Sequence, residues 1–264
     1  MGFAIDHVVI AVADLGQAIA DYRQLGFTVE EGGEHPGRGS KNALVVFADG
    51  SYFELITFSR PTPDFRWWQV LDQSGPGFVD FALLPSDIDR DVAAAQARGL
   101  DFEAPVDGGR ARPDGERLVW KTVRSPQSDT PFFCGDVTPR ALRVPEGAVR
   151  QHANNVQGIA SVVVAVSDLD RSIARYAALF DEPPARAYAL PGLGLRVAHL
   201  DAGHGSITLA TPSGKGEAGD ALAAHLASRG EGPFAVGLSG GPAGPLDRAL
   251  SHGARLDFVG QAKS

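Results

Sequence analysis

Two ionisable side chains stand where the surrounding sequence is almost wholly apolar. His7 heads the run HVVIAV, and Glu54 lies inside SYFELI. If both runs are strands, alternate residues share a face, so His7 groups with Val9 and Ala11, and Glu54 with Tyr52 and Ile56. A carboxylate in so apolar a strand is costly unless it is paired, hydrogen-bonded or bound to metal. The plainer alternatives are a strand-end histidine bonded to a carbonyl and an edge-strand glutamate facing solvent.

Other residues offer binding rather than reaction chemistry. His35 lies in the glycine-rich stretch EGGEHPGRGSKNA, with Arg38, Ser40 and Asn42 close by. Such loops carry binding groups on a rigid scaffold, and Arg38 suits a bidentate pair with a substrate carboxylate. The alternative is a solvated turn. Trp67 and Trp68 in DFRWWQV either wall an apolar pocket or pin a loop to the core. His152 in RQHANN caps a connecting segment or joins the site. Cys134, beside Phe133, reads as an inert core thiol. The run GLSGGPAGP lacks the lysine and spacing of a phosphate loop.

The elements that position these residues are repeated. Val8–Val12 matches Val162–Val166 at an offset of 154, and Asp14, Leu15, Ile19, Tyr22 and Leu25 match Asp168, Leu169, Ile173, Tyr176 and Leu179 at that same offset. A second set, Phe78 and Leu100-Asp101-Phe102 against Phe234 and Leu256-Asp257-Phe258, keeps an offset of 156. Self-similarity of this kind implies repeated structural units. Two related halves are expected, 1–136 and 158–264, with a proline-bearing polar linker at 137–157. Within the first quarter the pattern is βαβββ. A strand at His7–Ala13 is followed by a helix capped by Asp14 and ended by Gly26, then strands at Phe27–Glu31, Ala43–Ala48 and Tyr52–Phe58, the last two joined by Asp49-Gly50. The second quarter repeats this with a strand at Phe78–Leu84, a helix at Ile88–Arg98, and strands near Phe102, at Leu118–Val123 and at Phe132–Cys134. The last quarter reads as a strand at Phe234–Leu238, a helix near Leu246–Ser251 and a strand at Leu256–Val259, two strands short. The open edge would need cover from the linker or from a second copy, as in a homodimer.

The repeat also isolates the chemistry. At the offset of 154, His7 becomes Ser161 and Glu54 becomes Thr208. A half that keeps the frame dispenses with both groups, so stability of the frame does not require them.

Composition narrows the partners. The 264 residues carry a net charge of −8, which disfavours nucleic acid and anionic membranes. No stretch approaches the roughly 18 apolar residues of a membrane span. A lone cysteine and an apolar start without a basic leader suit a soluble cytoplasmic protein.

Paired βαβββ modules, the phrase DHVVIAVADLGQAIADYRQLGF and the glutamate of SYFELI together resemble the vicinal oxygen chelate superfamily, which includes glyoxalase I, extradiol dioxygenases and bleomycin resistance proteins. HPGRGSKNALVVFADGSYFELI is similar to its glyoxalase-like branch. The resemblance implies an α+β fold of two tandem domains and a concave face holding a divalent metal (Zn, Ni, Mn or Fe). Its ligand positions fall on His7 and Glu54, then on Asp80, or on Ala82 if a gap intervenes, and near Phe133, which cannot bind metal. Glu54 would be ligand or catalytic base, with His35, Arg38, Asn42 and Trp67 binding substrate. The activity implied is a metal-dependent lyase or isomerase acting on a small α-oxygenated carbonyl compound. The alternatives are a metal-free sequestering protein and, less in keeping with one histidine and two carboxylates, a ring-cleaving dioxygenase.

Overall fold

A computed structural model describes residues 2–35, 39–111 and 117–260. The first half runs β1 (Ala4–Ala11), α1 (Leu15–Gln24), β2 (Glu30–His35), β3 (Ser40–Val46), β4 (Tyr52–Phe58), α2 (Arg66–Ser74), β5 (Gly77–Leu84), α3 (Ile88–Ala97), β6 (Val106–Ala111), β7 (Arg117–Val123) and β8 (Phe132–Asp136). A short helix, α4 (Arg140–Arg143), leads to the second half. That half contains β9 (Gly158–Ala165), α5 (Leu169–Phe180), β10 (Ala187–Leu190), β11 (Leu195–Ala202), β12 (Gly205–Pro212), α6 (Glu217–Arg229), β13 (Gly232–Ser239), β14 (Gly244–Pro245) and β15 (Leu256–Phe258). Among the described residues no helix is long and apolar enough to cross a membrane.

The strands form two mixed sheets, ordered β2-β3-β4-β1-β5-β8-β7-β6 and β10-β11-β12-β9-β13-β15-β14. In the first, β1 and β5 meet antiparallel at the centre, and each has a parallel neighbour, β4 or β8. Two βαβββ modules thus join through their first strands. The second sheet repeats the plan around β9 and β13. The offset of 154 holds at the level of register: His7 pairs with Tyr52 and Val9 with Glu54, as Ser161 pairs with Ser206 and Val163 with Thr208.

Helix starts follow local chemistry. Asp14, Asp87 and Asp168 each accept a hydrogen bond from a backbone N–H three residues on, satisfying a donor left over at the first turn. The residues facing the helices form one core shared by both halves: Val8, Ile10 and Val12, Val162, Val164 and Val166, and the fully buried Tyr22 and Tyr176. The opposite face of the first sheet carries a separate apolar cluster around Val9, Ala11, Ile56, Trp67 and Phe132.

Three expectations change. Phe102 is not in a strand; from a loop it stacks on Phe133 of β8 with ring centroids 4.9 Å apart, and β6 begins only at Val106. The stretch 246–251 is a pair of turns rather than a helix, closed by bonds from Ser251 and Gly253 to Asp247 and Arg248. Gly253, with φ +80°, reverses the chain there. The third concerns the last module. It has three strands, with β15 parallel to β13 in the place that β8 takes beside β5, so the offset of 156 does not mark structural equivalence. The segment between the halves is also more than a spacer, because α4 sends two arginines into the first sheet.

Candidate active site

Strand pairing sets the site. On β1, β4 and β3 the residues His7, Tyr52, Glu54, Asn42 and Leu44 border one pocket of about 60 Å³. Alternation sends their neighbours Val8, Phe53 and Leu55 into the core. Trp67, Trp120, Phe132 and Cys134 close the pocket, and Arg124 and Phe132 connect it to a larger space of about 370 Å³.

His7 is only 2% exposed, and its ring is held on three sides. It stacks on Tyr52 with centroids 4.5 Å apart, and Phe132 meets it edge-on at 5.3 Å. Its Nδ1 lies 2.7 Å from Asp6 Oδ2. Burial alone would push the Asp6 carboxyl up, but Arg143, the His7 bond and Arg140 outweigh it and hold the group well below the usual carboxylate range. An ionised carboxylate only accepts, so the proton of the bond sits on His7 Nδ1. Nε2 is then the nitrogen turned to the pocket, 3.7 Å from Glu54 Oε2.

Glu54 is 8% exposed and is oriented from its other side. Asn42 Nδ2 donates to Glu54 Oε1 at 2.7 Å, while Asn42 Oδ1 accepts from Gly33 N at 3.1 Å. The amide fits because residue 32 is glycine: a Cβ there would lie 2.0 Å from Asn42 Oδ1. The glycine-rich stretch therefore serves the site through its backbone.

Asp6 and His7 reach the same side although they are consecutive. In the pairing of β1 with β5 the register slips between Ile5 and His7, leaving Asp6 without a partner on β5. Such a bulge re-aims a side chain. Asp6 is fully buried, yet it faces Arg140 at 2.6 Å and Arg143 at 3.0 Å, and Arg143 also donates to Tyr52 Oη at 2.6 Å. Burying that carboxylate would cost several kcal/mol without the two guanidiniums.

The other expected residues divide. Trp67 walls the pocket and also donates from Nε1 to Asp80 Oδ2 at 2.8 Å. His35 borders the pocket, 3.1 Å from Ser40 Oγ. Arg38 lies outside the described residues. Asp80 is corrected. Its carboxylate receives Trp67, the Phe81 N–H and Arg66, and it borders the larger space rather than the His7–Glu54 pocket. The residue opposite His7 is Ala82. By the same pairing, Ala82 faces Phe132 as His7 faces Tyr52, so the counterpart of Glu54, two residues on, is Cys134. Phe133 points into the core instead.

These donors do not make a metal centre of the expected kind. Among the described residues no three His, Cys, Asp or Glu side chains converge to hold an ion. Of the four positions related by the sheet's symmetry, Ala82 offers no donor, and Cys134 is a buried thiol whose ionisation burial disfavours. A thiol must ionise to ligate well.

A family model described as "Glyoxalase-like domain" matches residues 5–180. The chain is a glyoxalase-like protein of the vicinal oxygen chelate superfamily. The matched span contains every residue of the pocket. Solved structures share the fold of this glyoxalase-like protein. A hypothetical protein from Staphylococcus aureus superposes with TM-score 0.72 at 15% identity, covering 97% of this chain and 99% of that one. A triple mutant of 4-hydroxymandelate synthase from Streptomyces coelicolor gives 0.61 at 15% identity, over 90% and 71% of the two chains. A xylose isomerase-like TIM barrel/4-hydroxyphenylpyruvate dioxygenase fusion protein gives 0.57 at 20% identity, over 91% and 37%. None of the curated proteins matches it.

Several site residues escape a reading of the sequence. Arg143 and Arg140 lie in the polar, proline-bearing stretch 137–157, and Asp6 would alternate away from His7 in a regular strand. Arg124, whose guanidinium covers the rings of Trp67 and Phe132 at 4.6 Å each, sits in a part of the chain without a motif.

Proposed function

We propose that this glyoxalase-like protein is a lyase or isomerase that moves protons on a small α-oxygenated carbonyl compound, using His7 and Glu54 rather than a three-ligand metal. The observation that carries the reading is the facing pair itself, His7 Nε2 and Glu54 Oε2 at 3.7 Å in a pocket shielded from water. Asp6 fixes the His7 tautomer and Asn42 fixes one Glu54 oxygen, so the two inward atoms are left to share or exchange a proton. A substrate bound against both would lose a proton from carbon to one group and gain one at oxygen or carbon from the other. The pocket is small enough to hold only the reacting end. The substrate body would extend past Arg124 into the larger space, where that guanidinium suits a carboxylate. The catalytic unit is residues 1–136 completed by α4, in a protein of the cytoplasm.

A second reading, binding without turnover, draws on Ala82, which leaves one of the superfamily's ligand positions without a donor, and on Cys134, a buried thiol, at another. One experiment separates the two. Protein purified without a histidine tag is incubated in D₂O with a panel of 2-hydroxy and 2-oxo carbonyl compounds, and α-hydrogen exchange is followed by NMR. Exchange that survives chelation and falls about 10²–10⁴-fold in Glu54→Gln supports acid–base catalysis. Saturable binding with no exchange by the native protein selects the binding module. Stoichiometric Zn²⁺ or Ni²⁺ uptake that activates exchange and is lost in His7→Ala overturns the metal-free mechanism.

A further inference from the structure

Away from this pocket a cleft of about 300 Å³ opens between the halves, bordered by the end of α2, the start of β5, α6 and the turn before β15. Its walls carry Arg229, Arg248, Arg255 and His225 and no acidic side chain, in a chain of net charge −8. Among the described residues none of the three arginines pairs with a carboxylate. Arg229 is occupied by backbone: it donates to the carbonyls of Ser74, Gly75 and Phe78 at 3.0 Å each and ties α6 to the first half. Arg248 makes one bond, to Gly253 O at 3.3 Å. Arg255 lies over the half-buried Phe234 ring at 4.7 Å, and His225 meets that ring edge-on at 5.2 Å.

Packed together, these cations work against one another. Arg255 is pushed down by burial and then by Arg248, with Asp257 only partly opposing. His225 is pushed down to about 4, by burial first and then by Arg229 and Arg255. Glu231, the acid at the edge of the cleft, accepts from Ser167 N and turns toward Arg171 instead. Folding gains nothing from crowding like charges in a concave wall, whereas an incoming anion meets a focused positive field.

We propose that the cleft is a binding site for a phosphate monoester with an aromatic or apolar body, its phosphoryl group held by Arg248 and Arg255 and its body against Phe234. A phosphate presents three outer oxygens and close to two negative charges, matching two donor forks better than a planar monoanionic carboxylate. A space of this size accommodates a small ligand. The site is separate from the His7–Glu54 pocket and does not depend on its chemistry.

The test uses the full chain and phenyl phosphate as probe, by calorimetric titration at about 0.15 M salt, where long-range attraction is screened. The expected Kd lies below about 1 mM, with inorganic phosphate and benzoate each weaker by about tenfold or more. Arg255→Gln and Arg248→Gln should each cost about tenfold or more, and Phe234→Leu should weaken phenyl phosphate while sparing inorganic phosphate. The His225 ring signals should shift on binding. Arg229 is left intact because it ties the halves together, and unchanged thermal melts show that the variants are folded. No binding up to about 10 mM, equal affinity for benzoate, or binding that survives the combined Arg248→Gln/Arg255→Gln change overturns the proposal.

Discussion

The faces of the two sheets turned away from the shared core were built on one plan and finished differently. On the first, His7 and Glu54 face a pocket and α2, nine residues long, covers only part of the surface through Trp67. On the second, Ser161 and Thr208 take their places. There α6, thirteen residues long, lays Leu222 and Leu226 over Val163, Val197 and Ala210. Thr208 keeps one polar neighbour, Nδ1 of the largely exposed His199 at 3.3 Å. The register of β1 on β4 and of β9 on β12 is nevertheless the same. The frame is therefore indifferent to what its inner face carries. The first half retains buried charge where the second buries apolar surface, and burying charge has no stabilising logic of its own unless it is paired. The difference sets Asp6, His7, Glu54 and the arginines of α4 apart as the group on which the proposed chemistry rests.

Two changes should break the comparison hardest. Giving the first half the second half's residues, His7→Ser with Glu54→Thr, is expected to lower turnover about 10²–10⁴-fold. The urea midpoint should move little, because Asp6 keeps Arg140 and Arg143. A collapse of the fold instead would mean that the pair is structural. The next largest effect belongs to Arg143. Its guanidinium joins Asp6, Asp136 and Tyr52, so Arg143→Ala leaves a buried carboxylate short of its main partner and should cost about 3–5 kcal/mol in denaturant unfolding. Combining it with Asp6→Asn should recover part of that loss. Gly32→Ala is a gentler probe. The new methyl collides with the Asn42 amide, so about a tenfold loss of exchange activity with a nearly native melt is expected, reporting on how firmly Glu54 must be held.

Much of this frame is legible in the sequence because strands and helices write periodic patterns. The repeat at offset 154 predicts β9, α5 and β12 from β1, α1 and β4, and it singles out His7 and Glu54 by their absence from the copy. What stays hidden is whatever breaks period. The slip that leaves Asp6 unpaired puts two consecutive side chains on one side, against the alternation on which strand reading rests. Ala82, opposite His7, stands five residues before the helix cap Asp87, whereas His7 stands seven before Asp14, so spacing from the caps falls two residues short, on Asp80. Arg140 and Arg143 reach the site only through tertiary folding of a four-residue helix, too short to leave a periodic trace. In the last module, SGGPAGP carries residues that break regular structure, and it forms the bend that leads from β13 into β14.

The smallest predicted effect sharpens the comparison through pH. The first half's buried acid, Asp6, is held ionised far into acid, so its contribution is lost only well below the ordinary carboxylate range. The second half's His225 behaves in the opposite sense to a charged partner. Its pKa in the folded chain lies near 4, against 6.5 for an unperturbed histidine, because burial and then Arg229 and Arg255 disfavour the imidazolium. Between those two values the unfolded chain binds a proton that the folded chain refuses, so stability falls as the pH drops through that window. His152, also pushed down by burial, acts with the same sign. Allowing for the solvent contact that His225 retains, the loss from this residue should amount to about 1–2 kcal/mol. Unfolding free energies measured at intervals across this range should show that slope in the native chain and a shallower one in His225→Leu. If His225→Leu leaves the slope unchanged, the arginines of the cleft do not act on the imidazole, and the acid sensitivity belongs to the rest of the molecule.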